Sequence, residues 1–170
     1  MPSPSQVTPP PPASSQDAAK PPAPEPPLAD AGAKACADRP QLGAEVRITV
    51  DASVAPAPSG GPLPDGVYVR TAAVLHTTEA ASPGAATLSA STWEIRGTHL
   101  AIANGSKVVT ADVSLSESSL TLTSTCVGSV GQIGQVSSFL YSVTANGALL
   151  LIKPNGAGTS TLVETFEKRN

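Results

Sequence analysis

The sequence predicts an all-β domain: eight antiparallel strands in an up-and-down meander that closes into a barrel, behind a disordered proline-rich N-terminal arm. Three observations carry this expectation. Apolar and polar residues alternate with period two over several consecutive runs, the pattern of a sheet with one buried and one wet face. Short turn signals separate these runs. No stretch shows a credible apolar stripe at helical spacing.

The arm comes first. Residues 1–30 hold 11 of the 18 prolines, and proline neither donates to a ladder nor leaves φ free. Residues 1–34 are therefore expected to be extended and solvated, a spacer that tethers the domain to a membrane or cell wall. The sharper alternative is a ligand for a polyproline-recognition module. Residues 35–62 form an N-terminal extension with one short strand, Val46 to Val50, and residues 63–170 form the barrel domain.

Within that domain the candidate strands are 67–76, 87–96, 98–103, 109–116, 120–126, 136–145, 148–153 and 160–168. The clearest are Val109, Ala111, Val113 and Leu115 alternating with Thr110, Asp112 and Ser114, then Leu120, Leu122 and Ser124 alternating with Thr121, Thr123 and Thr125. Pro64-Asp65-Gly66 turns the chain into the first strand. Asn104-Gly105 and Asn146-Gly147 are expected to form type I′ hairpin turns. Gly97 breaks the second run from the third. A meander of eight removes its exposed edges by pairing the first strand with the last. Two stacked sheets remain the alternative.

The connections divide by length. Gly97, Glu117-Ser118 and Asn146-Gly147 pinch one end. The loops 77–86, 127–135 and 154–159, rich in glycine, gather at the other, joined there by the short turn at Asn104 to Ser106. Binding residues concentrate on loops held by a rigid scaffold, so the long-loop end is the expected site. There His76 ends the first strand and Gln132 lies in the second long loop. Trp93 and Tyr141 read as core, or as walls of a ligand cavity. Small inward residues (Ala111, Ser124, Ala145) would leave room for a ligand.

Cys36 and Cys126 lack the close pairing of a structural zinc site. They read as a disulfide closing a loop of some 90 residues, or as two free thiols. If bonded, they hold residue 36 at the long-loop end, and Val46 to Val50 runs down the outside or edge of the domain. Closing the barrel with Tyr68 opposite Phe166 puts Arg70 opposite Glu164, a pair either facing the lumen or solvated outside.

Composition excludes several functions. The 170 residues carry 10 basic and 13 acidic side chains, net −3, which gives no attraction to nucleic acid. No apolar run reaches membrane-spanning length. Met1 leads straight into Pro2-Ser3-Pro4 with no visible signal segment, one being expected to have been removed, and Cys36 lacks the apolar approach of a lipid-acylation site. The Ser/Thr-rich, Lys-poor composition nevertheless suits a secreted, periplasmic or cell-surface protein. The two histidines, His76 and His99, are expected at opposite ends, so no metal site, cofactor or enzyme active site is read here.

Asp65-Gly66-Val67-Tyr68 opening the first strand and Thr165-Phe166-Glu167-Lys168-Arg169 closing the last make residues 63–169 resemble the calycins, the lipocalin-like eight-stranded barrels. Tyr68 stands where lipocalins place tryptophan, with Arg169 or Lys168 as its basic partner. The chain is also similar to uncharacterised secreted bacterial lipoprotein-type domains. The resemblance implies a non-enzymatic binding module for a small apolar ligand, or an inhibitor acting on a protein partner through its barrel loops.

Overall fold

Runs that alternate apolar and polar residues and are joined by two-residue turns pair with their neighbours in sequence, and the computed structural model of the chain shows them doing so. It describes residue 36 and residues 39–78, 86–128, 132–156 and 160–169. The arm 1–34 and the loop tips 79–85, 129–131 and 157–159 lie outside the described residues.

Among the described residues there are ten strands and no helix: β1 (Val46–Asp51), β2 (Gly66–Thr77), β3 (Thr87–Leu88), β4 (Ser91–Arg96), β5 (His99–Asn104), β6 (Lys107–Ser116), β7 (Ser119–Val127), β8 (Val136–Val143), β9 (Leu149–Asn155) and β10 (Ser160–Arg169). Eight of them, β2 and β4 to β10, pair in chain order, and β10 closes on β2 antiparallel. The fold is a closed antiparallel barrel, not two stacked sheets. One expected run, 87–96, is split: β3 and β4 are separated by Ser89 and Ala90.

The closing register differs from expectation. Arg70 lies opposite Phe166, Tyr68 opposite Lys168, and Glu164 opposite Ala73, with a bulge between Thr165 and Phe166. The ladder is offset by two residues from the Tyr68–Phe166 pairing, and Thr71, the extra residue that the bulge leaves on β2, adds one more beyond it.

Two turn types also differ. Gly105 (φ 60°) and Gly97 (φ 58°) have positive φ at the first turn position alone, as in a type II′ turn. At the β8–β9 connection Gly147 N donates to Thr144 O, and Gly147 (φ 82°) follows Asn146 of ordinary φ. That is a type I turn ending in a glycine bulge. Neither Asn104 nor Asn146 takes the left-handed conformation a type I′ turn requires.

The N-terminal extension is built into the wall. Cys36 and Cys126 are disulfide-bonded. From there the chain crosses the outside of the barrel. Arg39 Nη1 lies 3.1 Å from Glu94 Oε2, and Leu42 N donates to Thr92 Oγ1 at 3.0 Å. The Gln41 amide, with its nitrogen toward Ala103 O (2.8 Å), accepts from Thr92 Oγ1 and Ser91 N. Gly43 passes so close to Val69 that a Cβ would sit 2.9 Å from its side chain. β1 then pairs parallel with the far half of β2, Ile48 to Asp51 against Ala73 to His76, and antiparallel with β3. It runs up toward the long-loop end, not down as expected. The reason is that β2 pairs with β4 only from Gly66 to Val69, so its other half has an empty side for β1 to fill.

From Asp51 the chain descends again as a strap. Ser59 N donates to Ser142 Oγ (2.8 Å), and Gly60 bridges β8, donating to Tyr141 O and accepting from Val143 N. Residues 60–65 then cross the tight-turn end and enter β2. Asp65 Oδ1 accepts from Gly97 N at 2.7 Å and ties this crossing to the β4–β5 turn.

Candidate functional site

Inward-facing side chains change character along the barrel axis. At the tight-turn end they form a packed floor of Tyr68, Trp93, Ile95, Leu100, Leu120, Tyr141, Leu149, Leu151 and Phe166, with Leu63 of the strap pressed against it. Trp93 and Phe166 rings meet at 5.1 Å. Two tyrosine hydroxyls point out of this floor into the strap: Tyr141 Oη donates to Gly61 O and Tyr68 Oη to Pro64 O, each at 2.8 Å. Burial raises both tyrosine pKa values above the ordinary phenol, with the Asp65 charge adding to Tyr68.

Toward the long-loop end the lumen opens. A cavity of about 250 Å³ lies among β5 to β8. Its apolar walls are Ile102, Val109, Ala111, Leu122 and Phe139. Its polar groups are Asn104, Lys107, Ser124, Gln135 and Ser137. The cavity exists because Ala111, Ser124 and Ser137 are small where the floor carries leucine and aromatic rings. Ala145, the third small residue expected inside, is exposed in the β8–β9 turn. An apolar concavity with a few placed polar groups is the usual form of a small-molecule site.

Beside the cavity, on β2, β9 and β10, sits a buried charge cluster. Arg70 and Glu164 are 7% and 3% exposed. Arg70 Nε lies 3.0 Å from Glu164 Oε2, yet the geometry makes no directed hydrogen bond for either atom. Lys153 Nζ contacts Glu164 Oε1 at 2.5 Å and stands 5.1 Å from the Phe139 ring centre. The guanidinium also lies 5.6 Å from the centre of the Phe166 ring. Burial lowers the Arg70 pKa, while Glu164 holds it up. The pair faces the lumen even though the register sets each opposite another residue, because the bulge between them brings the two side chains together diagonally.

The four candidate binding residues do not meet. Trp93 and Tyr141 are packed into the floor (5% and 2% exposed) and do not line the cavity. His76 is on the outer face, its Nδ1 3.2 Å from Ser53 O. Gln132 is exposed in its loop, with its carbonyl accepting from Gln135 N. His99 pairs with Asp112 at 2.8 Å on the exposed floor end. Sequence reasoning missed Phe139, Ser137, Gln135 and the β5 side of the cavity. Their signal was the size contrast along each inward-facing row, large near the tight turns and small near the loops. Among the described residues no three His, Cys, Asp or Glu side chains gather as metal ligands.

Compared with family models, curated proteins and solved structures, the chain matches none.

Proposed function

We propose that this protein is a non-enzymatic, exported binding module of calycin-like build that holds a small amphipathic molecule in the upper lumen. One observation carries the reading: the lumen has a packed, strap-sealed floor and a cavity above it whose walls mix apolar and polar side chains. A barrel that served only as a scaffold gains stability by filling that space. The Cys36–Cys126 disulfide supports an oxidising compartment, and the arm 1–34 is read as its tether.

Native mass spectrometry of the purified chain tests the reading. Retained or added amphiphile is expected as an adduct on the wild type and is expected to weaken at least tenfold in Ser124→Leu, which fills the cavity. Equal adducts on both proteins would place the ligand elsewhere, and none on either would defeat the proposal.

A second reading has its own observation. Ile133 and Val136, on and beside the 127–135 loop, are 58% and 61% exposed. Exposed apolar side chains on a loop favour a protein partner, contacted through the 77–86, 127–135 and 154–159 loops. Retention of a partner by wild type but not by Ile133→Asp, with ligand binding unchanged, distinguishes it.

A further inference from the structure

Among the described residues, neighbouring strands of the barrel part at several places. β2 leaves β4 beyond Val69, and β1 fills the opening. β8 leaves β7 below Leu140, and Gly60 fills that one. A third lies between β8 and β9. Their ladder runs from Val143 opposite Leu149 to Leu140 opposite Ile152 and stops, although β8 continues to Val136 and β9 to Asn155. Carried two residues further, the same register sets Ser138 against Pro154, and proline has no N–H to continue it. Among the described residues no backbone group pairs across this seam.

Outside the seam lies a groove of about 410 Å³, lined by Leu140, Ile152 and Pro154 with Ser119 and Ser138. Phe139 lines both this groove and the lumen cavity. One side chain therefore divides the two spaces, at a point where no hydrogen-bonded wall stands behind it. Lys153, held by Glu164 and packed beside the Phe139 ring, forms the other side of the threshold.

We propose that lumen cavity and groove form one binding site and that its ligand is a single-chain amphiphile with an acidic head. The head lies in the lumen with Lys107, Ser124 and Ser137. The alkyl chain leaves sideways past Phe139 and lies on Leu140 and Ile152. This rests on the lumen reading above and adds the ligand class and its path. Three arguments favour it. The lumen cavity alone is below the usual range of roughly 300–1,000 Å³ for ligand pockets, and the two spaces together fall inside that range. The groove is mainly apolar, with Leu140 39% exposed beside Ile152, which is 4% exposed. Arg70 and Lys153 against Glu164 leave a net positive charge beside the threshold, and Lys107 is a further cation lining the lumen cavity. Pro154 and the inward Lys153 oppose the other occupant of an open strand edge, an added peptide strand.

Calorimetric titration of the full chain with linear saturated carboxylates of six to sixteen carbons tests the proposal. Affinity is expected to rise about fourfold per methylene, and to go on rising past the length that fills the lumen. In Leu140→Gln and in Ser138→Trp, which alter the groove alone, the rise is expected to stop at that length, with short-chain affinity unchanged. Agreement of these two variants guards against a folding artefact in either. A wild-type plateau at the lumen-filling length overturns the seam path and leaves the lumen reading standing. So does an identical chain-length dependence in wild type and both variants. Failure of even the short acids to bind overturns both.

Discussion

Glu117 is the only described non-glycine residue with positive φ, at 44°. It opens the two-residue β6–β7 turn, a position that its sister turns fill with Gly97 and Gly105. Left-handed backbone costs an L-residue about 1–2 kcal/mol, less the entropy that glycine loses there. Glu117→Gly is therefore expected to stabilise the protein by about 0.5–1 kcal/mol in urea unfolding. Its carbonyl faces Gly60, where a Cβ would lie 1.8 Å from the Glu117 oxygen. Gly60→Ala must move backbone against backbone and is expected to cost about 2–4 kcal/mol. Lesser destabilisation would mean that the strap is not seated at Gly60. The charge cluster gives a second pair of variants. Glu164→Ala strands the buried Arg70 beside Lys153 and is expected to cost about 3–5 kcal/mol. Arg70→Met combined with Glu164→Leu removes the main buried pair and should recover most of that loss. A double variant as unstable as Glu164→Ala would refute the explanation by buried charge.

At the scale of elements, the strap 52–65 behaves as a lid held by two phenols. Tyr68→Phe and Tyr141→Phe are each expected to cost about 1 kcal/mol through one lost hydrogen bond. Because both pin the same six residues, the double variant should depart from the sum. The phenols also set an alkaline limit. Each ionises at higher pH in the folded chain than in the unfolded one. The stability this contributes is complete below the unfolded value near 10 and is lost as pH rises through the folded values. Melting temperature should fall above about pH 10, and less steeply in the double phenylalanine variant. Much of this level was legible in the sequence. All eight barrel strands and their order followed from alternation and turns, because inside–outside periodicity is a local property. The path of residues 39–60 was not legible. Segments lying across a sheet's outer face show no alternation of their own, and Gln41, Gly43 and Gly60 are fixed by partners 26 to 83 residues away. The cavity was half legible: Ala111 and Ser124 announced it, while its Phe139 wall depends on where β8 and β9 part.

For the whole molecule, the disulfide cross-links the start of the extension to the barrel. The chain-entropy treatment assigns about 4.6 kcal/mol to a cross-link over 90 residues, with measured losses near 2–5. Cys36→Ser with Cys126→Ser is expected to lose that much. The loss should come with hydrogen-exchange protection weakened first along residues 39–51. Uniform weakening would show that barrel and extension unfold as one unit. Net charge, composition and fold class were all legible at this scale, since each is a sum or a repeat over the chain. The bulge at Thr71 was not, since nothing in the run VYVRTAAVLH marks an extra residue.

The extension has one more consequence, in time. Residues 36–60 leave the ribosome before every strand they rest against. Glu94, Thr92, Cys126 and Ser142 follow by 50 to 90 residues. The first part made is thus among the last that can be placed. Contacts so distant along the chain slow folding, and the Cys36 thiol has no native partner until the seventh strand has been laid down. Oxidation of that thiol therefore works as a clock: its protection from alkylating reagents during refolding should appear with, and not before, assembly of the barrel.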